Sequence, residues 1–121
     1  MAVRVTGLDH IVLSVSDVDK TLAWYCEELG LEPMQVDEWR AGTVPFPSAR
    51  IDAMTIIDFI PRSGAVAVRN LDHLCLVIEP TDSYDGFDIL EGPAPRSGAL
   101  GVATSVYVHD PDGNLVELRF Y

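Results

Sequence analysis

The strongest constraint on this chain is a short sequence written twice. Gly7-Leu8-Asp9-His10-Ile11-Val12-Leu13 returns, 63 residues on, as Asn70-Leu71-Asp72-His73-Leu74-Cys75-Leu76. That spacing is about half of the 121 residues. Each copy is Leu-Asp-His followed by an apolar run, which predicts a strand. A repeat of this size means two similar structural units. The first is expected over about residues 7–61 and the second over about 70–121, within a single domain. His10 and His73 then occupy matching positions of matching units.

The rest of the chain fills in around the two strands. In the first, over 8–15, His10, Val12 and Ser14 share one face, and Ile11, Leu13 and Val15 the other. Ser16-Asp17 offers an N-cap, and 18–29 read as a helix with Val18, Leu22, Tyr25 and Leu29 along one side. Gly30 would close that helix, with Pro33 just beyond. Trp24 is either core or pocket wall. A strand is expected over 32–39, a bend or loop over 40–50, and a strand over 50–60. Pro61 to Val68 reads as the linker between halves.

The second half opens with a strand over 71–78, with His73, Cys75 and Val77 facing one way. Residues 81–90 stand where the first half has its helix and are expected to be helical; 91–98 read as a loop of turn formers. Strands over 103–109 and 114–121, joined by Asp110-Pro111-Asp112-Gly113, form the clearest hairpin in the chain. Strand, helix, then further strands, taken twice, predict a mixed α+β architecture whose sheets curve around a shared cleft.

Composition removes several function classes. Eight Lys and Arg against nineteen Asp and Glu give a formal charge of −11, which repels a phosphate backbone and argues against nucleic acid as a partner. There is no polybasic segment for a membrane surface and no apolar run of membrane-spanning length. Met1-Ala2-Val3-Arg4-Val5-Thr6 lacks the apolar core of a signal peptide, so a cytoplasmic protein is expected. Cys26 and Cys75, the only cysteines, have no CxxC spacing and read as two small buried thiols.

The chemistry centres on Glu117. Leu115, Glu117, Arg119 and Tyr121 share one face of the last strand. A carboxylate there among apolar neighbours costs several kcal/mol (roughly 2–7) if buried without a partner. A divalent cation would satisfy it, and two imidazoles with one carboxylate form a ligand set used by catalytic metal sites. Each group also has an ordinary reading: a strand histidine held by hydrogen bonds, or an edge-strand glutamate paired with Arg119. Glu117 follows His73 by 44 residues, and the same step from His10 reaches Met54.

Leu8-Asp9-His10, Leu71-Asp72-His73 and the run His109-Asp110-Pro111-Asp112-Gly113-Asn114-Leu115-Val116-Glu117-Leu118 resemble the vicinal oxygen chelate superfamily. That superfamily includes glyoxalase I, the bleomycin- and fosfomycin-resistance proteins and the extradiol dioxygenases. Gly92-Pro93 through Ala99 and Ser105-Val106-Tyr107 are also similar to glyoxalase domain-containing proteins. The resemblance implies paired βαβββ modules in a U-shaped, barrel-like mixed sheet around a cleft. It implies His10, His73 and Glu117 as ligands of a divalent metal ion (Fe, Mn, Zn or Ni), and a homodimer. The implied activity is that of a lyase, transferase or dioxygenase that chelates two neighbouring oxygens of a small molecule. Non-catalytic binding or sequestering of a small molecule is the alternative class.

Many glyoxalase I enzymes carry a fourth ligand where this step places Met54, a soft thioether ill suited to a hard ion. Three ligands suit the fosfomycin-resistance and dioxygenase branches. Arg96 and Arg119 are the basic groups such a cleft could offer. The resemblance turns Ser105 and Tyr107 toward the cleft, with Met54 and Arg119, as candidate substrate contacts. Asp52 and Asp58 are either bases or solvated carboxylates, and no general base is assigned.

Overall fold

Two segments with the same strand plan make up the protein. The computed structural model describes residues 4–64 and 71–121. The chain divides into two compact units, Met1–Ala65 and Val66–Tyr121.

The first unit contains β1 (His10–Val15), α1 (Val18–Ala23), a π-helical turn (Trp24–Glu28), β2 (Glu32–Met34), α2 (Val36–Arg40), β3 (Ser48–Arg50) and β4 (Ile56–Pro61). Its sheet runs β1-β4-β3-β2, with β1 and β4 parallel and the other pairs antiparallel. Asp17 caps α1 as expected: its carboxylate accepts the Lys20 N–H at 3.0 Å. The helical stretch ends where Gly30 takes φ +76° and the Leu31 N–H reaches back to the Tyr25 carbonyl at 3.1 Å. The inner face of the sheet carries Leu13, Val15, Ala49, Ile57 and Phe59, and α1 lays Val18 and Leu22 on it, with Tyr25 behind. Tyr25 and Phe59 meet ring to ring at 5.3 Å. Trp24 packs at the margin of this core.

The second unit contains β5 (Leu74–Val77), β6 (Glu91–Arg96), β7 (Ala103–His109) and β8 (Leu115–Phe120), in the order β5-β8-β7-β6. β5 and β8 are parallel; β6, β7 and β8 are antiparallel neighbours. Val106, Val108, Val116 and Leu118 are buried on one face. The turn before β8 is held by Asp110, whose carboxylate accepts the N–H groups of Asp112 and Asn114 and the Asn114 amide, all within 2.9 Å. Gly113 supplies the positive φ, +78°.

The two open sheets are identical in strand order, so β1, β4, β3 and β2 correspond to β5, β8, β7 and β6; the chain as a whole is α+β, with its described helices in the first unit. Four local expectations are corrected. The strand expected over 32–39 stops at Met34, and α2 follows. The strand expected over 50–60 begins only at Ile56, because Asp52 accepts the N–H groups of Met54 and Thr55 at 2.9 Å and turns the chain. Residues 81–90 form turns, not a helix. Gly86 sits at φ +91°, and Asp82, Ser83, Asp85 and Asp88 are poor interior helix residues. Glu91–Arg96 is a strand despite Pro93 and Pro95, because it is an edge strand, where a missing N–H is tolerated. Pro33 has the same position on β2. The expected linker, Pro61 to Val68, begins at the last residue of β4, and its residues 65–68 lie outside the described residues. Among the described residues no helix is long and apolar enough to cross a membrane.

Candidate functional site

In the second unit, β8 lies between β5 and β7, so Glu117 has a neighbour on each side: Cys75 and Tyr107 stand opposite it in register. Alternation puts Glu117, Arg119, Ser105, Tyr107, Cys75 and His73 on the face opposite the buried valines. Glu117 is nevertheless only 4 % exposed. Its carboxylate accepts Ser105 Oγ at 2.7 Å, Tyr107 OH at 3.1 Å and Arg119 Nη1 at 3.2 Å. His73 Nε2 lies 3.2 Å from Glu117 Oε1.

Burial alone would raise the Glu117 carboxyl above its ordinary range. The hydrogen bonds from Ser105 and Tyr107, then the charges of His73 and Arg119, outweigh burial and hold it below that range. Glu117 is thus a buried carboxylate kept ionised. Burial, then the bond to Glu117, moves the Tyr107 phenol the other way, so it stays a neutral donor.

His73 is oriented from behind. Its Nδ1 is 2.7 Å from Asp72 Oδ2, which directs Nε2 toward Glu117. The Tyr107 ring stands edge-on to the imidazole at 6.0 Å. Arg96 lies 6.0 Å over the Tyr107 ring and is ion-paired to Glu91.

The first unit repeats this plan on its own sheet. His10 Nδ1 is 2.7 Å from Asp9 Oδ1. In β4, Asp58 stands opposite Val12 on one side and Ser48 on the other. It is 7 % exposed and accepts the Ser48 hydroxyl at 2.6 Å. The Asp9 hydrogen bond, then the Asp58 charge, raise the His10 imidazole despite some desolvation. Val12 and Cys75 each lie two residues after their histidine, so strand register makes Asp58, not Met54, the counterpart of Glu117. The first unit simply has 48 residues between histidine and carboxylate where the second has 44. Met54 is on the turn before β4, 77 % exposed.

The expected residues therefore divide. His73, Glu117, Ser105, Tyr107 and Arg119 are brought together in the second unit; His10 belongs to the first. Arg119 is only 3 % exposed, and its terminal nitrogens are bound within the protein. Among the described residues no three His, Cys, Asp or Glu side chains are grouped to hold a metal ion. Each unit instead presents an Asp-backed histidine and a buried carboxylate with a hydroxyl donor. Sequence reasoning did not single out Asp9 and Asp72 as supports, though both copies of the repeat contain them. It also did not pair Asp58 with Ser48.

By comparison with known proteins, the chain belongs to one family. Residues 7–86 match the model of the glyoxalase/bleomycin resistance protein/dioxygenase superfamily. The chain is 31 % identical to a virulence protein of Salmonella typhimurium, over 94 % of this chain and 83 % of that one. It is 34 % identical to a glyoxalase domain-containing protein of Mycosarcoma maydis, over 97 % of this chain and 69 % of that one. A solved structure from the mobile metagenome of V. Pseudocholerae superposes with a TM-score of 0.78 at 28 % identity, covering 100 % of this chain and 98 % of that one.

Proposed function

We propose that the protein is a divalent-metal-dependent enzyme acting on a small oxygenated molecule, with His10, His73 and Glu117 as the ligands of the ion. The observation that carries this reading is the 3.2 Å separation of His73 Nε2 and Glu117 Oε1. Asp72 takes the Nδ1 side of the ring, so Nε2 and the Glu117 oxygen face each other at a distance at which the two can share one positive centre, a proton or a metal ion. Two ligand atoms of one ion, at bonds of about 2.1 Å, stand roughly 3.0–3.4 Å apart, so the pair fits neighbouring ligand positions.

The chain's own residues then have distinct roles. Asp72 and Asp9 accept from Nδ1 and fix the tautomer that leaves Nε2 to bind. Ser105 and Tyr107 donate to Glu117 and hold its plane. Arg119 adds a positive charge beside the carboxylate, after the larger contributions of Ser105, Tyr107 and His73. Asp58, on the His10 face, adds a second buried carboxylate. When bound, the ion would act as a Lewis acid toward neighbouring substrate oxygens. The reading includes a homodimer, as the family resemblance implies, places the protein in the cytoplasm, and leaves open which of Fe, Mn, Zn or Ni is used.

The test is elemental analysis and calorimetric titration of purified protein with Mn²⁺, Ni²⁺ and Zn²⁺. About one ion per chain is expected, with affinity lowered at least about tenfold in His73→Ala and in Glu117→Gln. Binding unchanged in both variants, or no binding in the parent, overturns the reading.

A further inference from the structure

Three backbone carbonyls, one from the last residue of β6 and two from the loop that follows it, converge on one buried side chain. Arg119 Nη1 donates to the Ser97 carbonyl at 2.8 Å. Nη2 donates to the carbonyls of Arg96 and Gly101, each at 3.0 Å. The second Nη1 proton goes to Glu117 Oε2 at 3.2 Å. All four terminal N–H groups are thus committed: three to the end of β6 and its loop, one to the carboxylate. Nε is buried without an acceptor, so no donor is left facing solvent.

The loop has little else to hold it. Residues 97–102 are all exposed, with Leu100 at 79 % and Val102 at 72 %. A surface loop with its apolar side chains in water gains no order from burial. Two further bonds shape it: the Leu100 N–H donates to Tyr121 OH at 3.0 Å, and the Gly101 N–H to the Gly98 carbonyl at 3.1 Å. Tyr121 itself lies 4.9 Å from the Arg119 guanidinium. The fit is close, since a Cβ built on Gly98 would fall inside the contact distance of the guanidinium carbon and both terminal nitrogens. A side chain at Gly98 would therefore push the guanidinium away from the backbone it touches.

We infer that Arg119 is a positioning residue that ties the end of β6 and the loop after it to Glu117, so that order in the loop and the setting of the carboxylate form one equilibrium. The guanidinium is the right device. It is planar, always charged and presents fixed donors, so it cannot shift toward one partner without leaving another. A lysine would keep the charge beside Glu117 but could not span three carbonyls. Arg119 is thus a clamp within the protein and not a free cation for substrate. The coupling is reciprocal: what disturbs Glu117 loosens the loop, and what disturbs the loop moves Glu117.

The test uses metal-free full-length protein, so it is independent of the ion-binding reading and stands or falls apart from it. Amide exchange at Leu100 and Gly101 reports the loop, and the ¹³C resonance of the Glu117 side-chain carboxyl reports the site. Gly98→Ala and Arg119→Lys are each expected to speed that exchange by about tenfold or more and to shift the Glu117 resonance. Glu117→Gln is expected to speed the same two amides from the other end. Leu100→Ala, which removes only an exposed side chain, leaves both readouts in place. If Arg119→Lys does not fold, Gly98→Ala decides. Exchange unchanged in Gly98→Ala, or a loosened loop with the Glu117 resonance unmoved, overturns the inference.

Discussion

Asp58 on β4 and Glu117 on β8 occupy the same register position of two sheets built to one plan. Each faces a residue two places past an Asp-backed histidine, and each is buried and bound by a hydroxyl from the next strand. The relationship gives a direct contrast with Met54. Asp58→Asn should weaken divalent-ion binding about tenfold or more, because it removes a buried charge from the His10 face. Met54→Leu should leave binding within about twofold, since its exposed thioether is a poor ligand for a hard ion. Calorimetric titration of the two variants checks both.

How much of this could be read from the chain alone follows from which forces were local. The histidine repeat, the Asp17 cap, Gly30 and the Asp110–Gly113 hairpin were legible because each is decided within a few residues. The counterpart of Glu117 was not. Counting 44 residues from His10 assumed equal spacing, while the first unit is four residues longer between histidine and carboxylate. Only strand pairing reveals the offset. Glu91–Arg96 read as a loop because its prolines forbid a central strand; that it lies at a sheet edge is a fact of topology. Arg119 looked like a substrate contact because nothing in the sequence shows three carbonyls folding onto it.

Acid should destabilise the metal-free protein partly through Glu117. Its folded-state pKa lies below the ordinary carboxylate value, so the native state binds fewer protons than the unfolded chain in that range. The stabilisation is fully present above the unfolded pKa and is lost as pH falls through the folded one. Urea midpoints across the acid range should drop less steeply in Glu117→Gln than in the parent. Equal slopes would mean the carboxylate is not held ionised by its partners.

The first unit's core predicts a large cost for one truncation. Phe59 is fully buried against Tyr25. Phe59→Ala should lower unfolding free energy by about 3–5 kcal/mol, through lost burial and an unfilled cavity. Val12→Ala, at a half-exposed position on the opposite face of β1, should cost far less. Denaturant titration of the pair tests which face is core.

Gly92 is required by its backbone. Its φ of +92° is strained for an L side chain, and a Cβ there would run into the Ser105 carbonyl on β7. Gly92→Ala should cost about 1–3 kcal/mol or more. It should also disturb the β6–β7 pairing, seen as lost protection of β7 amides. A neutral effect would contradict the backbone described for this edge strand.

The central claim is that two imidazoles and one carboxylate hold one divalent ion. X-ray absorption on protein loaded with Zn²⁺ or Ni²⁺ reads that shell directly. The account predicts two imidazole nitrogens at about 2.0–2.1 Å with carboxylate oxygen completing the protein ligands, and one imidazole fewer in both His10→Ala and His73→Ala. A shell of oxygen alone, or one that keeps both imidazoles when either histidine is removed, would contradict it.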